Sequence, residues 1–179
     1  TTVAEVQGFL QADRVLIYRF WPDGTGSATY ETVLEPYPKI LNQTFDEEVF
    51  PQAYHQAYAL GKVRSIANID QSDIEPCLAE FVKQFAVQAK LVVPIIQSDP
   101  EPVLWGLLIA HQCRASREWQ DWEIELMKQL ATQVAIAIQQ SELYHQLQQL
   151  NAQLEQRVQQ RTTELATTNV VLQAEVIER

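Results

Sequence analysis

The cysteines and histidines of this 179-residue sequence are the first candidates for nucleophilic attack, soft-metal ligation or covalent attachment: Cys77, Cys113, His55, His111 and His145. A nucleophilic thiol needs a base within hydrogen-bond reach and donors for the developing oxyanion, and no spacing among these five supplies that arrangement. His145 falls on the expected coiled coil, out of range of the rest. A zinc site made of two cysteines and two histidines wants closely spaced ligand pairs, which are absent. The sequence has no CxxC, no HExxH and no Gly-rich phosphate loop. The chain therefore reads as a non-enzyme, and any kinase activity would belong to another domain. Cys77 is the residue that stands out. In "DIEPCLAEF" it follows Pro76 at the expected start of a helix, where a thiolate is favoured and a ligand could be attached. A small apolar residue filling a helix–sheet gap is the alternative reading.

The elements that must position Cys77 follow from periodicity. Val3, Val6, Phe9 and Leu10 sit at helical spacing in residues 2–11. "RVLIYRFWPDGTGSATYETVL" reads as two strands about a Pro-Asp-Gly-Thr-Gly turn. Residues 35–50, with Pro36 and Pro38, read as irregular, and "PQAYHQAYALGK" as a short helix ended by Gly61. Ser72 or Asp73 is expected to cap a helix over about residues 74–86 that buries Ile74, Leu78, Phe81, Val82 and Phe85. "AKLVVPIIQ" and "PVLWGLLIAHQC" form an apolar hairpin, expected at the centre of an antiparallel sheet, with Pro94 at an edge or bulge.

From Glu118 to Arg179 there is neither Gly nor Pro, so one long helix is expected. Its first part has a broad apolar face suited to packing on the sheet. Beyond Ser141 the face narrows to Leu143, Leu147, Leu150, Leu154, Val158, Arg161, Leu165, Thr168, Leu172 and Val176, the three–four alternation of a coiled coil. Two successive four-residue steps, Leu150 to Leu154 to Val158, make a stutter that relaxes the supercoil.

Composition bounds the partners. A hydrophobic share of 46 % supports a core that needs no metal or disulfide, and a net charge of −10 disfavours nucleic acid. No apolar run approaches the roughly 18–20 residues of a membrane span. With sparse cysteine and no signal-like N-terminus, a cytoplasmic location is expected.

Three blocks together, "EPCLAEFVKQFAVQAKLVVPII", "LWGLLIAHQC" and "REWQDWEIELMKQLATQVAIAI", closely resemble the GAF domains of cyanobacteriochromes, bilin-binding photoreceptors of the phytochrome superfamily. The C-terminal "LEQRVQQRTTELATTNVVLQAEVIER" is similar to linker helices that join such domains to PAS domains or histidine kinases. The resemblance implies an α+β GAF fold, an antiparallel sheet flanked by helices. It places a bilin-binding domain at 1–140 and a coiled-coil signalling helix at 141–179.

By the same resemblance, Cys77 matches the cysteine that forms a thioether with ring A of phycocyanobilin. Leu78 stands where most relatives have a histidine against the pyrroles. Glu47 falls where relatives place an aspartate that accepts pyrrole N–H bonds, with Glu48 beside it. Either glutamate suits a cationic bilin, and the space left by Leu78 favours the reach of Glu48. Phe45 replaces a tryptophan near ring D, and Val49 the second cysteine of blue-absorbing members. Leu78 after the anchor, glutamate in place of aspartate and no tryptophan at 45 resemble the far-red-absorbing subgroup, with the red/green type as the alternative. His111 matches a histidine near the ring D carbonyl, Lys62 and Arg64 are candidates for the propionates, and Tyr54, Tyr58 and Phe50 for the pocket lining. The implied function is light sensing relayed through a homodimeric C-terminal helix to a downstream domain. A GAF domain with a non-covalent ligand and a pure dimerisation module are the rivals.

Overall fold

The structure, a computed structural model, describes residues 2–45, 52–72, 74–98 and 101–177. It divides into two compact units, Thr1–Ile136 and Ala137–Arg179. The first contains α1 (Thr2–Leu10), β1 (Arg14–Phe20), β2 (Gly26–Val33), β3 (Thr44–Phe45), α2 (Gln52–Ala59), β4 (Arg64–Ile66), α3 (Pro76–Gln84), β5 (Ala89–Gln97) and β6 (Val103–Gln112). The last helix, α4 (Asp121–Ile177), crosses the boundary.

The six strands form one sheet in the order β3-β2-β1-β6-β5-β4, antiparallel at every pairing. The β1–β2 turn is closed by Trp21 N–H to Thr25 O, with Gly24 at φ 88 supplying the left-handed step. The middle pair is β1 with β6. The expected central hairpin β5–β6 therefore sits one strand off centre, because β1, β2 and β3 follow on the β6 side and only β4 on the β5 side. Since β4 pairs only with Lys90, Leu91 and Val92, β5 is a free edge by the time it reaches Pro94, which is how the sheet tolerates a residue without an N–H.

Alternation along the strands separates two faces. Leu16 and Tyr18 of β1, Val92 of β5, and Leu107 and Ile109 of β6 join one buried cluster with Tyr58 of α2 and Leu78 and Val82 of α3. Val15, Ile17, Leu91, Val93, Leu108 and Ala110 have the opposite parity and are buried too. Tyr18 is held closely. A Cβ on Gly106 would lie 2.2 Å from its carbonyl oxygen, and one on Gly26 would lie 2.3 Å from its phenol oxygen.

Two buried carboxylates fix the segments that leave the sheet, one at the end of β6 and one at the start of α4. Asp13, fully buried, accepts from the Cys113 N–H at 2.8 Å, the Arg114 N–H at 3.1 Å and the Arg114 guanidinium at 2.8 Å. Burial pushes its carboxyl up, and the Cys113 and Arg114 bonds together outweigh that and hold it below the usual aspartate value. Glu123, in the first turn of α4, accepts the Gln120 N–H at 2.8 Å, which is half of a capping box. It also pairs with Arg117, whose guanidinium donates to Leu10 O at 2.7 Å and Gln112 Oε1 at 2.9 Å. This clamp starts α4 at Asp121 rather than at Glu118, with Trp119 buried just before it.

In the second unit α4 is solvent-exposed along 141–170. Leu143, Leu147, Leu150, Leu154, Val158 and Leu165 expose 55–63 % of their surface. No described helix is long and apolar enough to cross a membrane.

Candidate ligand-binding site

Cys77 is the second residue of α3, directly after Pro76. Pro at the first helical position costs nothing, since its missing N–H has no helical partner there. The N-cap is Glu75, which makes no side-chain cap bond. The expected cap at Ser72 is thus displaced by three residues, and Ser72 Oγ instead donates to Ile69 O at 2.8 Å, closing a 3₁₀ turn (Ile69–Gln71). The other proposed cap, Asp73, lies outside the described residues. The start of α3 is held from α2: the Glu75 N–H donates to Tyr54 Oη at 3.2 Å, and the Tyr54 ring carries the Arg64 guanidinium 4.3 Å from its centroid.

On the sheet-facing side of α3, Leu78 is 3 % exposed within the main cluster. Aromatic rings surround that cluster. Phe45 stacks on Tyr18 with centroids 6.3 Å apart and meets Phe81 edge-on at 4.6 Å. Phe81 in turn meets Phe85 at 5.3 Å, and Phe20 meets His55 at 4.8 Å. Tyr58 is 2 % exposed, and burial pushes its phenol up to about 12. Leu78, Tyr58 and Phe45 therefore share one apolar wall, while Lys62 is exposed. Glu47, Glu48 and Phe50 lie outside the described residues.

A line of bases crosses the same face. Arg64, Lys90, His111 and Arg14 belong to β4, β5, β6 and β1, and Lys90 and Arg14 both stand opposite His111 in register. Arg14 is fully buried. Its Nε lies 3.0 Å from Glu31 Oε1, off the hydrogen-bond line but within ion-pair range, and its terminal nitrogens donate to Phe85 O and Pro38 O. Arg14 also approaches His111 Nδ1 at 3.2 Å. A guanidinium has only donors, so Nδ1 is the acceptor and the His111 proton resides on Nε2. Burial first, then the charges of Arg14 and Lys90, hold His111 well below its ordinary value, and the ring is neutral. Cys113 ends in the same corner, its thiol pushed up to about 11 by burial, which makes it a packing group rather than a nucleophile.

Arg14 and Lys90 escape a motif search, yet each has a signal. Lys90 is the single base of an apolar strand, Arg14 opens another whose second base, Arg19, has the opposite parity, and period-two alternation puts Arg14 and Lys90 on the faces of Leu16 and Val92.

The GAF domain family matches residues 1–138. The chain is a GAF domain. Solved structures similar to it include photoreceptors. A solved far-red cyanobacteriochrome photoreceptor is 32 % identical, covering 78 % of this chain and 82 % of that one at a TM-score of 0.70. The phycocyanobilin-bound GAF domain of a cyanobacterial phytochrome is 33 % identical, covering 80 % and 83 % at a TM-score of 0.72. The GAF domain thus falls in the cyanobacteriochrome and phytochrome group. The circadian input-output histidine kinase CikA of Thermosynechococcus vestitus is 36 % identical over 91 % of this chain and 23 % of its own length. Across three such curated relatives, two CikA kinases and a putative methyl-accepting chemotaxis protein of Synechocystis, this chain spans 17–26 % of the full length.

Proposed function

We propose that this GAF domain is a light sensor carrying phycocyanobilin as a thioether on Cys77, with a far-red-absorbing dark state. The observation that carries the reading is the placement of Cys77 in the N-terminal turn of α3, one residue before the buried Leu78 of an apolar, aromatic-lined wall. That wall fits a tetrapyrrole's flat faces, and the neutral His111, with its Nε2 proton, adds a polar group suited to a ligand oxygen.

In attachment, the Cys77 sulfur bonds to the exocyclic carbon of ring A, the thiol proton ends on the adjacent ring carbon, and nothing leaves. When bound, the bilin supplies visible absorption and a reversible isomerisation of the methine double bond between rings C and D. The chain's own residues do the rest. Leu78 and Phe45 exclude water from the ring faces, Glu48 or Glu47 supplies the countercharge that a buried cation requires, and His111 donates its Nε2 proton to the ring D carbonyl. Phe50 and Tyr58 line the pocket, and Arg64 meets a propionate. Residues 141–179 pair with a second copy and relay the change to a downstream PAS or histidine kinase domain, with catalysis confined to that domain.

The test is an absorption spectrum of protein co-produced with phycocyanobilin synthesis, taken before and after saturating illumination and again after acid denaturation. Expected is pigment that survives acid, photoconverts reversibly, absorbs beyond the usual red in darkness and vanishes in Cys77→Ala. A colourless protein with confirmed bilin supply refutes the photoreceptor reading, and a dark band in the ordinary red with a green photoproduct refutes the far-red assignment alone.

A further inference from the structure

Four separate stretches of chain hold the buried guanidinium of Arg14. Glu31 of β2 stands beside Nε, and Nη2 donates to the Pro38 carbonyl. Nη1 meets the Phe85 carbonyl, just past α3, and His111 Nδ1 of β6, both at 3.2 Å, with Cys113 Sγ farther off at 3.9 Å. Nη1 carries two hydrogens, so the Phe85 oxygen and the His111 nitrogen take one each. A guanidinium held from four sides does not turn away, and it always offers His111 a hydrogen. Which ring nitrogen of a histidine is protonated is set by the bond that the other nitrogen makes. An ionised His111 would need a proton on Nδ1, aimed at a cation. Among the described residues, the charged groups that bear directly on the ring are Arg14 from β1 and Lys90 from β5, itself 4 % exposed. Glu31 is engaged by Arg14 and by the Ile40 and Leu41 N–H groups, and Asp13 by Cys113 and Arg114.

We propose that Arg14 is a positioning residue for ligand recognition: it locks His111 as a neutral ring that only donates, through Nε2, so that the site takes a carbonyl oxygen and refuses an N–H group. The ligand half rests on the tetrapyrrole reading, in which His111 meets the carbonyl edge of ring D and not its N–H edge. The lock on His111 stands on Arg14 alone. A donor brought to Nε2 would leave two buried hydrogens facing each other without an acceptor, the costly arrangement for polar groups away from water.

The lock is read by nitrogen NMR of His111 in the ligand-free full chain. Expected are a proton on Nε2 and a scalar coupling across the hydrogen bond between Arg14 Nη1 and His111 Nδ1. A proton on Nδ1 overturns the proposal without any variant. Arg14→Met alone would strand Glu31, so the removal is Arg14→Met with Glu31→Gln, and Glu31→Gln alone is the control. His111 should titrate more than about one pH unit higher in the double variant than in the control. An equal midpoint overturns the lock. The ligand half is read in the pigment-loaded chain from the infrared band of the ring D carbonyl, which should move to higher frequency in the double variant, toward its position in His111→Ala. A band moved by His111→Ala but not by the double variant refutes a role for Arg14 in recognition. A band unmoved in His111→Ala refutes the carbonyl assignment and leaves the lock to the NMR result. A chain that takes up no pigment refutes the tetrapyrrole reading, and the NMR result again decides the lock.

Discussion

At the scale of residues, the buried lysine has a thermodynamic signature independent of any ligand. Its pKa is about 7 in the folded chain against an ordinary 10.5. Between those values the unfolded chain holds a proton that the folded chain lacks, so stability rises with pH across that window and the full penalty applies below it. Unfolding free energies measured by urea at pH 7 and pH 9.5 should therefore increase with pH in the ligand-free protein. The Lys90→Met profile should be flatter. Its advantage at pH 7 should exceed its advantage at pH 9.5 by about 3 kcal/mol, since each pH unit inside the window is worth about 1.4 kcal/mol. Parallel profiles would show that Lys90 is hydrated in solution. His111 acts in the same direction lower down: its depressed value means stability is lost as pH falls below about 6.5.

At the scale of elements, the start of α4 is tied to the end of the sheet through one arginine. Arg117 binds the end of α1, the end of β6 and the first turn of α4 at once. Removing it strands Glu123, 1 % exposed, as a buried unpaired carboxylate. Arg117→Ala should cost about 3 kcal/mol, and Glu123→Gln in that background should recover part of the loss. Equal stabilities for Arg117→Ala with and without Glu123→Gln would mean that water replaces the guanidinium. Much of this architecture was legible beforehand. β1, β5 and β6 are apolar runs bounded by turn residues, and α4 follows from the lack of Gly and Pro over 118–179. The two- and three-residue strands β3 and β4 were not, because their pairing is dictated by neighbours rather than by their own composition. Nor was the Tyr54 hold on α3, or the Arg14–His111 contact, since each joins groups distant in sequence, the latter 97 residues apart.

At the scale of the molecule, the second unit is a helix whose leucine seam stands in solvent. An apolar stripe of this spacing gains stability by pairing. The proposed dimer predicts that Leu150→Lys with Leu154→Lys shifts the protein to a monomer in light-scattering chromatography, while bilin loading on Cys77 is unchanged. A dimer that persists would place the self-association elsewhere. The strand order has a further consequence, for biosynthesis. β1 is made early, but its partner β6 must wait until about 90 further residues have been added. At roughly 5–20 residues per second, that is several seconds on the ribosome. Through that interval the Val15–Tyr18 stretch offers an unpaired apolar edge to any passing chain. Nascent chains stopped before residue 103 should aggregate, whereas chains released after 113 should not. Under the proposed function, pigment capture is then a late event, possible only once the last strand has closed the sheet.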